Sequence, residues 1–132
     1  MLKKDVFNYG DKKVDIYELS GLQRIDYLTL VKEETEAFDA LPDDTPVMES
    51  NIAFSSMRLR INAWLVAASL WHEDKTKDVV TEQGVILEDW SSLAISECSQ
   101  KVLALSDMLP PEPEESADAT EGYDADLSPA KS

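Results

Sequence analysis

The lone histidine, His72, stands beside two carboxylates, Glu73 and Asp74, and a histidine–carboxylate pair is the usual core of general-base chemistry. Here the spacing defeats it. Adjacent residues on a helix project in different directions, so neither acid can orient the imidazole, and no serine lies in a nucleophile motif. The same three residues lack the ligand spacing of a zinc or calcium site. Asp43-Asp44 is a solvated loop run, and Glu33-Glu34 lies on a helix surface with no apolar pocket to tune a carboxyl group. The four glycines are too scattered to cradle a phosphate. Cys98 is the single cysteine, which excludes an internal disulfide and a paired-cysteine metal or redox site. With Ile95, Val102 and Leu105 at helical spacing, it reads as a small buried apolar residue. No catalytic, cofactor or metal site is therefore expected, and His72 reads as a helix-end histidine interacting favourably with the helix dipole.

What remains is recognition by surface. Met57, Ile61, Trp64, Ala68 and Trp71 recur in steps of three and four, which aligns them along one helix face. This stripe is expected to face inward. Ile52, Phe54, Leu59, Leu65, Val66 and Leu70 make the same helix apolar around much of its girth. Such a helix is central in a bundle or shared with a partner, a second copy of the chain included. Its apolar circumference exceeds what a small bundle covers, so Phe54, Leu59, Leu65 and Trp71 are candidate partner contacts. Arg58 and Arg60 are uncommon cations in an acidic chain. They are either contact residues, with Arg58 the candidate, or simply paired with nearby acids.

The elements that must position these residues follow from the pattern. Of 132 residues, 27 are acidic and 12 basic, for a net charge of −15. That balance excludes nucleic-acid binding and disfavours anionic membranes. No stretch reaches the roughly 18 apolar residues of a membrane span. Met1-Leu2-Lys3-Lys4-Asp5 lacks a signal-peptide core, which predicts residence in the cytoplasm of the producing cell.

Asp5 to Tyr17 reads as a β-hairpin around Gly10-Asp11, its strands alternating with period two. Helix 1 is expected from Ser20, where Ser20 and Gln23 form a capping box, with Leu22, Ile25, Leu28 and Val31 on one face, widened by Tyr27 and Leu30, and fraying by Ala40. Pro42 to Pro46 is a loop. Helix 2 is expected from about Ser50 to His72, helix 3 between Asp78 and Asp89, and helix 4 from Ser91 or Ser92 to Leu109. The fold class is thus mainly α: a bundle of about four helices preceded by a hairpin, in one domain over residues 1–109. Residues 110–132 hold four of the six prolines, seven acids and one lysine. Ordering them would cost on the order of 1 kcal/mol per residue, more than burying Tyr123 and Leu127 returns, so a disordered acidic tail is expected.

Three segments resemble a known family. Glu18-Leu19-Ser20-Gly21-Leu22-Gln23-Arg24-Ile25-Asp26-Tyr27-Leu28 resembles the first helix of the lambda-type minor tail protein G family. Trp64-Leu65-Val66-Ala67-Ala68-Ser69-Leu70-Trp71-His72 resembles its central apolar segment. Trp90, Leu93-Ala94-Ile95-Ser96 and Val102 to Met108 resemble its last helix. The resemblance runs in order over residues 5–109; the stretch from Ala40 to Ser56 matches nothing in it.

The resemblance implies a tail assembly chaperone that coats the tape measure protein in the host cytoplasm. Such a chaperone keeps the tape measure soluble until tail tube subunits polymerise, then leaves and is absent from the virion. It also implies a longer form, made by ribosomal frameshifting, that recruits the tube protein. The competing readings are an acidic DNA mimic or other inhibitor of a host factor, a structural virion subunit and, for want of a site, least of all an enzyme.

Overall fold

In a computed structural model, which describes residues 1–109, the chain forms two strands and four helices. Strands β1 (Lys4–Tyr9) and β2 (Lys12–Tyr17) pair antiparallel, Phe7 opposite Val14 and Tyr9 opposite Lys12. The two-residue connection requires a positive φ, and Gly10 supplies it at 60°. Phe7 and Ile16 point inward, and the Phe7 ring stacks on Trp90 with centroids 6.2 Å apart. A lone hairpin is marginal in water. This one rests on helices α2 (Val47–Leu70) and α4 (Ser92–Leu105), where Lys101 Nζ donates to the Val6 carbonyl at 2.7 Å.

Two buried hydroxyls complete the seal. Ser69 Oγ accepts from Tyr17 N–H at 2.6 Å and donates to Tyr17 O at 2.8 Å, replacing a missing neighbour strand. Ser106 Oγ accepts from Leu19 N–H at 2.9 Å and donates to Val102 O at 2.7 Å. Buried backbone groups need such partners.

Helix α1 (Gly21–Asp39) begins at the capping box expected from Ser20 and Gln23, with both reciprocal bonds present. Its packed face departs from expectation. Leu22, Ile25 and Leu28 point to solvent, with Leu22 70% exposed. Gln23, Tyr27, Leu30, Glu34 and Phe38 turn toward α2 instead. The two sides of α1 are similarly apolar, so periodicity alone could not choose between them.

Helix α2 starts three residues earlier than expected, at Val47, behind Pro46 in the N-cap position. The ring fixes φ at −57°, and Ser50 N–H closes the first turn onto Pro46 O at 2.9 Å, so neither Ser50 nor Glu49 is the cap. The helix ends at Leu70, and His72 lies in the following turn.

Helix α3 (Val79–Asp89) is capped by Asp78, whose carboxylate accepts from Thr81 N–H. Helix α4 stops at Leu105, not Leu109. Asp107 turns to φ 62°, and Met108 N–H reaches back to Leu103 O at 2.8 Å while Asp107 N–H bonds Ala104 O. That 6→1 and 5→2 pattern is a Schellman stop with aspartate in the left-handed position. The core lies between α2, α3, α4 and the hairpin, around Ile16, Leu19, Leu65, Val66, Ile86, Ile95, Cys98 and Val102. The expected tail, residues 110–132, lies outside the described residues.

Candidate functional site

Helices α1 and α2 form an antiparallel pair, and its distal end stands clear of the body. Four contacts along its length hold it. Gln23 Nε2 donates to Ala68 O at 3.0 Å. Tyr27 and Trp64 stack with centroids 6.4 Å apart. The Arg60 guanidinium grips Glu34 with two bonds of 2.7 and 3.2 Å. Phe38 meets Phe54 edge-on at 5.6 Å. The two-bond pair with Arg60 holds the Glu34 carboxyl below its ordinary range. Arg60 is thus the paired cation of the two arginines. Arg58 is exposed and makes no ion pair among the described residues.

The arm bares two apolar surfaces. One is the outer side of α1, carrying Leu22, Ile25 and Leu28. The other is the first half of α2, carrying Val47, Met48, Ile52 and Phe54. Met48, Asn51, Ile52, Ser55, Ser56 and Leu59 line a shallow open groove on it. Residues 21–59 carry eight acids against three bases, so both surfaces sit in an acidic field. Lone exposed apolar residues are ordinary, but grouped ones on a small domain mark a surface that something covers.

The candidate contact residues separate cleanly. Phe54 is exposed on the arm, Arg58 is exposed one turn along, and Leu59 is half-buried at the groove's inner end. Leu65 is fully buried in the core, because α3 and α4 cover that side of α2, so it is corrected from candidate contact to core residue. The inward stripe holds at Met57, Ile61 and Ala68, whereas Trp64 and Trp71 are half-buried. Trp71 lies far from Phe54, under the Lys75 ammonium at 5.2 Å.

Val47 and Met48 escaped sequence reasoning. Pro46 ahead of an apolar pair with Glu49 in the first turn was the available signal for an earlier helix start.

His72 does something other than complement a dipole. Gln23 Oε1 accepts from Ser20 N–H at 3.1 Å and faces His72 Nε2 at 2.7 Å, so His72 carries its proton on Nε2 and donates it. Burial, aided by Lys75, lowers its pKa, which favours the neutral ring. Cys98 is buried as expected, and desolvation pushes its thiol up to about 12, which leaves it inert. No group of three or more His, Cys, Asp or Glu side chains is arranged to hold a metal among the described residues. Nor is any described helix long and apolar enough to cross a membrane.

Hairpin, bundle and acid-rimmed arm together make a mainly helical module that leaves two apolar surfaces exposed. Residues 1–124 match the model of the bacteriophage lambda tail assembly chaperone, protein G, and the chain belongs to that family. The tail assembly protein G of Escherichia phage lambda is 34% identical over 116 residues, covering 81% of this chain and 77% of that protein. Tail assembly protein G of Escherichia phage N15 is 29% identical over 121 residues, 83% of this chain and 79% of that protein. The longer tail assembly protein GT of phage lambda is 34% identical over the same length of alignment, 116 residues, but the chain spans only 39% of it. No solved structure matches. Family membership places the chain in phage tail assembly.

Proposed function

We propose that the chain is a holdase for the tape measure protein of its phage. It coats that long helical polypeptide in the host cytoplasm, keeps it soluble until tail tube subunits close around it, and leaves before the virion is complete. A longer form carrying the same residues, made by frameshifting, recruits the tube protein. The observation that carries this reading is the double apolar surface of the α1–α2 arm inside a strongly acidic chain of the tail assembly chaperone family. An apolar helical surface suits a helical client, and net negative charge keeps coated complexes apart.

Co-expression is the test. With the full chain present, the tape measure protein of the same phage is expected to move from the insoluble to the soluble fraction and to co-purify with the chain. A tape measure protein that stays insoluble, or is soluble without any association, overturns the proposal. Purified virions should lack the chain; finding it there in stoichiometric amount would make it a structural subunit instead.

A further inference from the structure

Ile52, Leu59 and Val66 are seven residues apart and so lie in one line along α2. Their exposure falls from 59% at Ile52, through half-buried Leu59, to 0% at Val66. The cover that seals the inner half is α3 and α4. On α3, Gln83 Nε2 donates to the Arg60 carbonyl at 2.8 Å. Toward Val47 the same face opens to solvent, with Ile52 and Met48 both exposed. Met48, Ile52 and Leu59 stand as ridges, and Ser55 and Ser56 form a low floor between them. A face that continues an interhelical interface from sealed to exposed residues has the shape to take one more helix, with a bulky aliphatic knob over Ser55.

Charge sets the occupant's chemistry. The groove lining is uncharged. The end of α1, the α1–α2 connection and the first turn of α2 carry Asp39, Asp43, Asp44 and Glu49, none of them in an ion pair among the described residues. A second copy, with its net charge of −15, or this chain's own acidic residues 110–132, would bring more negative charge there. We propose that the open half of α2, from Met48 to Leu59, is the docking groove for an amphipathic helix of another polypeptide, lysine- or arginine-flanked where it overlies the arm tip. The proposal rests on the holdase reading, and it names one site and one class of client segment for it. The outer face of α1 is not part of that groove.

The probe is a fluorescein-labelled peptide of about three heptads with leucine at a and d and lysine at e and g. Two controls accompany it: the same peptide with glutamate at e and g, and a scrambled lysine peptide. Each is titrated by anisotropy against the full chain. The lysine-flanked helix is expected to bind at least roughly tenfold tighter than either control. Met48→Ser/Ile52→Ser, which leaves the charge unchanged, is expected to weaken it at least roughly tenfold. Ile25→Ser/Leu28→Ser on α1 is expected to leave it alone. Asp43→Asn/Asp44→Asn/Glu49→Gln should weaken binding several-fold and flatten its salt dependence.

Equal binding of the scrambled peptide, or binding that survives Met48→Ser/Ile52→Ser with the helix content of the variant unchanged, overturns the proposal. So does loss of binding on the α1 variant alone. The co-expression test stays separate. If the tape measure protein is solubilised equally by the wild type and by Met48→Ser/Ile52→Ser, the groove is wrong and the holdase reading stands. If the peptide binds in the groove but the tape measure protein is never solubilised, the site is right and the client is not.

Discussion

At the scale of single residues, one amide joins three segments. Gln23 caps α1 through Oε1, donates through Nε2 to the last turn of α2, and accepts a hydrogen bond from His72 Nε2–H. Its oxygen and nitrogen cannot be exchanged, because Ser20 N–H needs an acceptor and Ala68 O needs a donor. A titratable ring in that network has a consequence for stability. Burial, with Lys75 nearby, holds the His72 pKa below its ordinary 6.5 in the folded chain. The unfolded chain therefore takes up the proton first as pH falls. Stability contributed this way is complete above about pH 6.5 and is lost as pH drops through the folded-state value. Urea melts between about pH 7 and 5.5, above the carboxylate range, should show a declining free energy of unfolding. His72→Gln keeps a donor for Gln23 but cannot titrate, so its decline over the same interval should be smaller; an unchanged decline would assign it to other groups.

At the scale of elements, the hairpin, the capping box of α1, the Asp78 start of α3 and the buried Cys98 were legible in the sequence. Each rests on a local signal: a glycine turn between alternating strands, a serine three residues before a glutamine, an aspartate ahead of an apolar run. What was not legible depended on partners distant in sequence. The α1 face was decided by Ala68, Trp64 and Arg60 across the arm, which no window of α1 contains. Leu59 and Leu65 look alike as leucines of one helix, yet only Leu65 is sealed, because α3 and α4 cover the inner half of α2. That asymmetry predicts a measurable split. Leu65→Ala should cost about 2–5 kcal/mol, a large share of a small domain's stability. Ile52→Ala, on the open half, should stay within about 0.5 kcal/mol of wild type. Comparable losses from both, in the same denaturant series, would mean that the arm is covered in the free chain.

At the scale of the whole molecule, two electrostatic effects oppose each other, and salt separates them. Seven of the 27 acids and one of the 12 bases lie in residues 110–132, which leaves residues 1–109 with a net charge of −9. Self-repulsion at that imbalance works against the compact state. Against it stand five ion pairs among the described residues, all at the surface, and surface pairs contribute about 0–1 kcal/mol each. Only Arg60–Glu34 has the two-bond geometry that makes such a pair count. Repulsion is summed over every like-charged pair within a screening length, which shrinks from about 30 Å at 0.01 M salt to about 8 Å at 0.15 M. Adding salt therefore removes more repulsion than attraction. The folded chain is expected to gain about 1 kcal/mol over that range, a rise in melting temperature of about 4–8 °C. A melting temperature that falls with salt would show that ion pairs hold the fold. The same screening acts on recognition. A nucleic-acid mimic works through its field and would let go of its target as salt rises, whereas an apolar arm keeps most of its grip, so the complex proposed above with the tape measure protein is expected to survive salt that stabilises the chain itself.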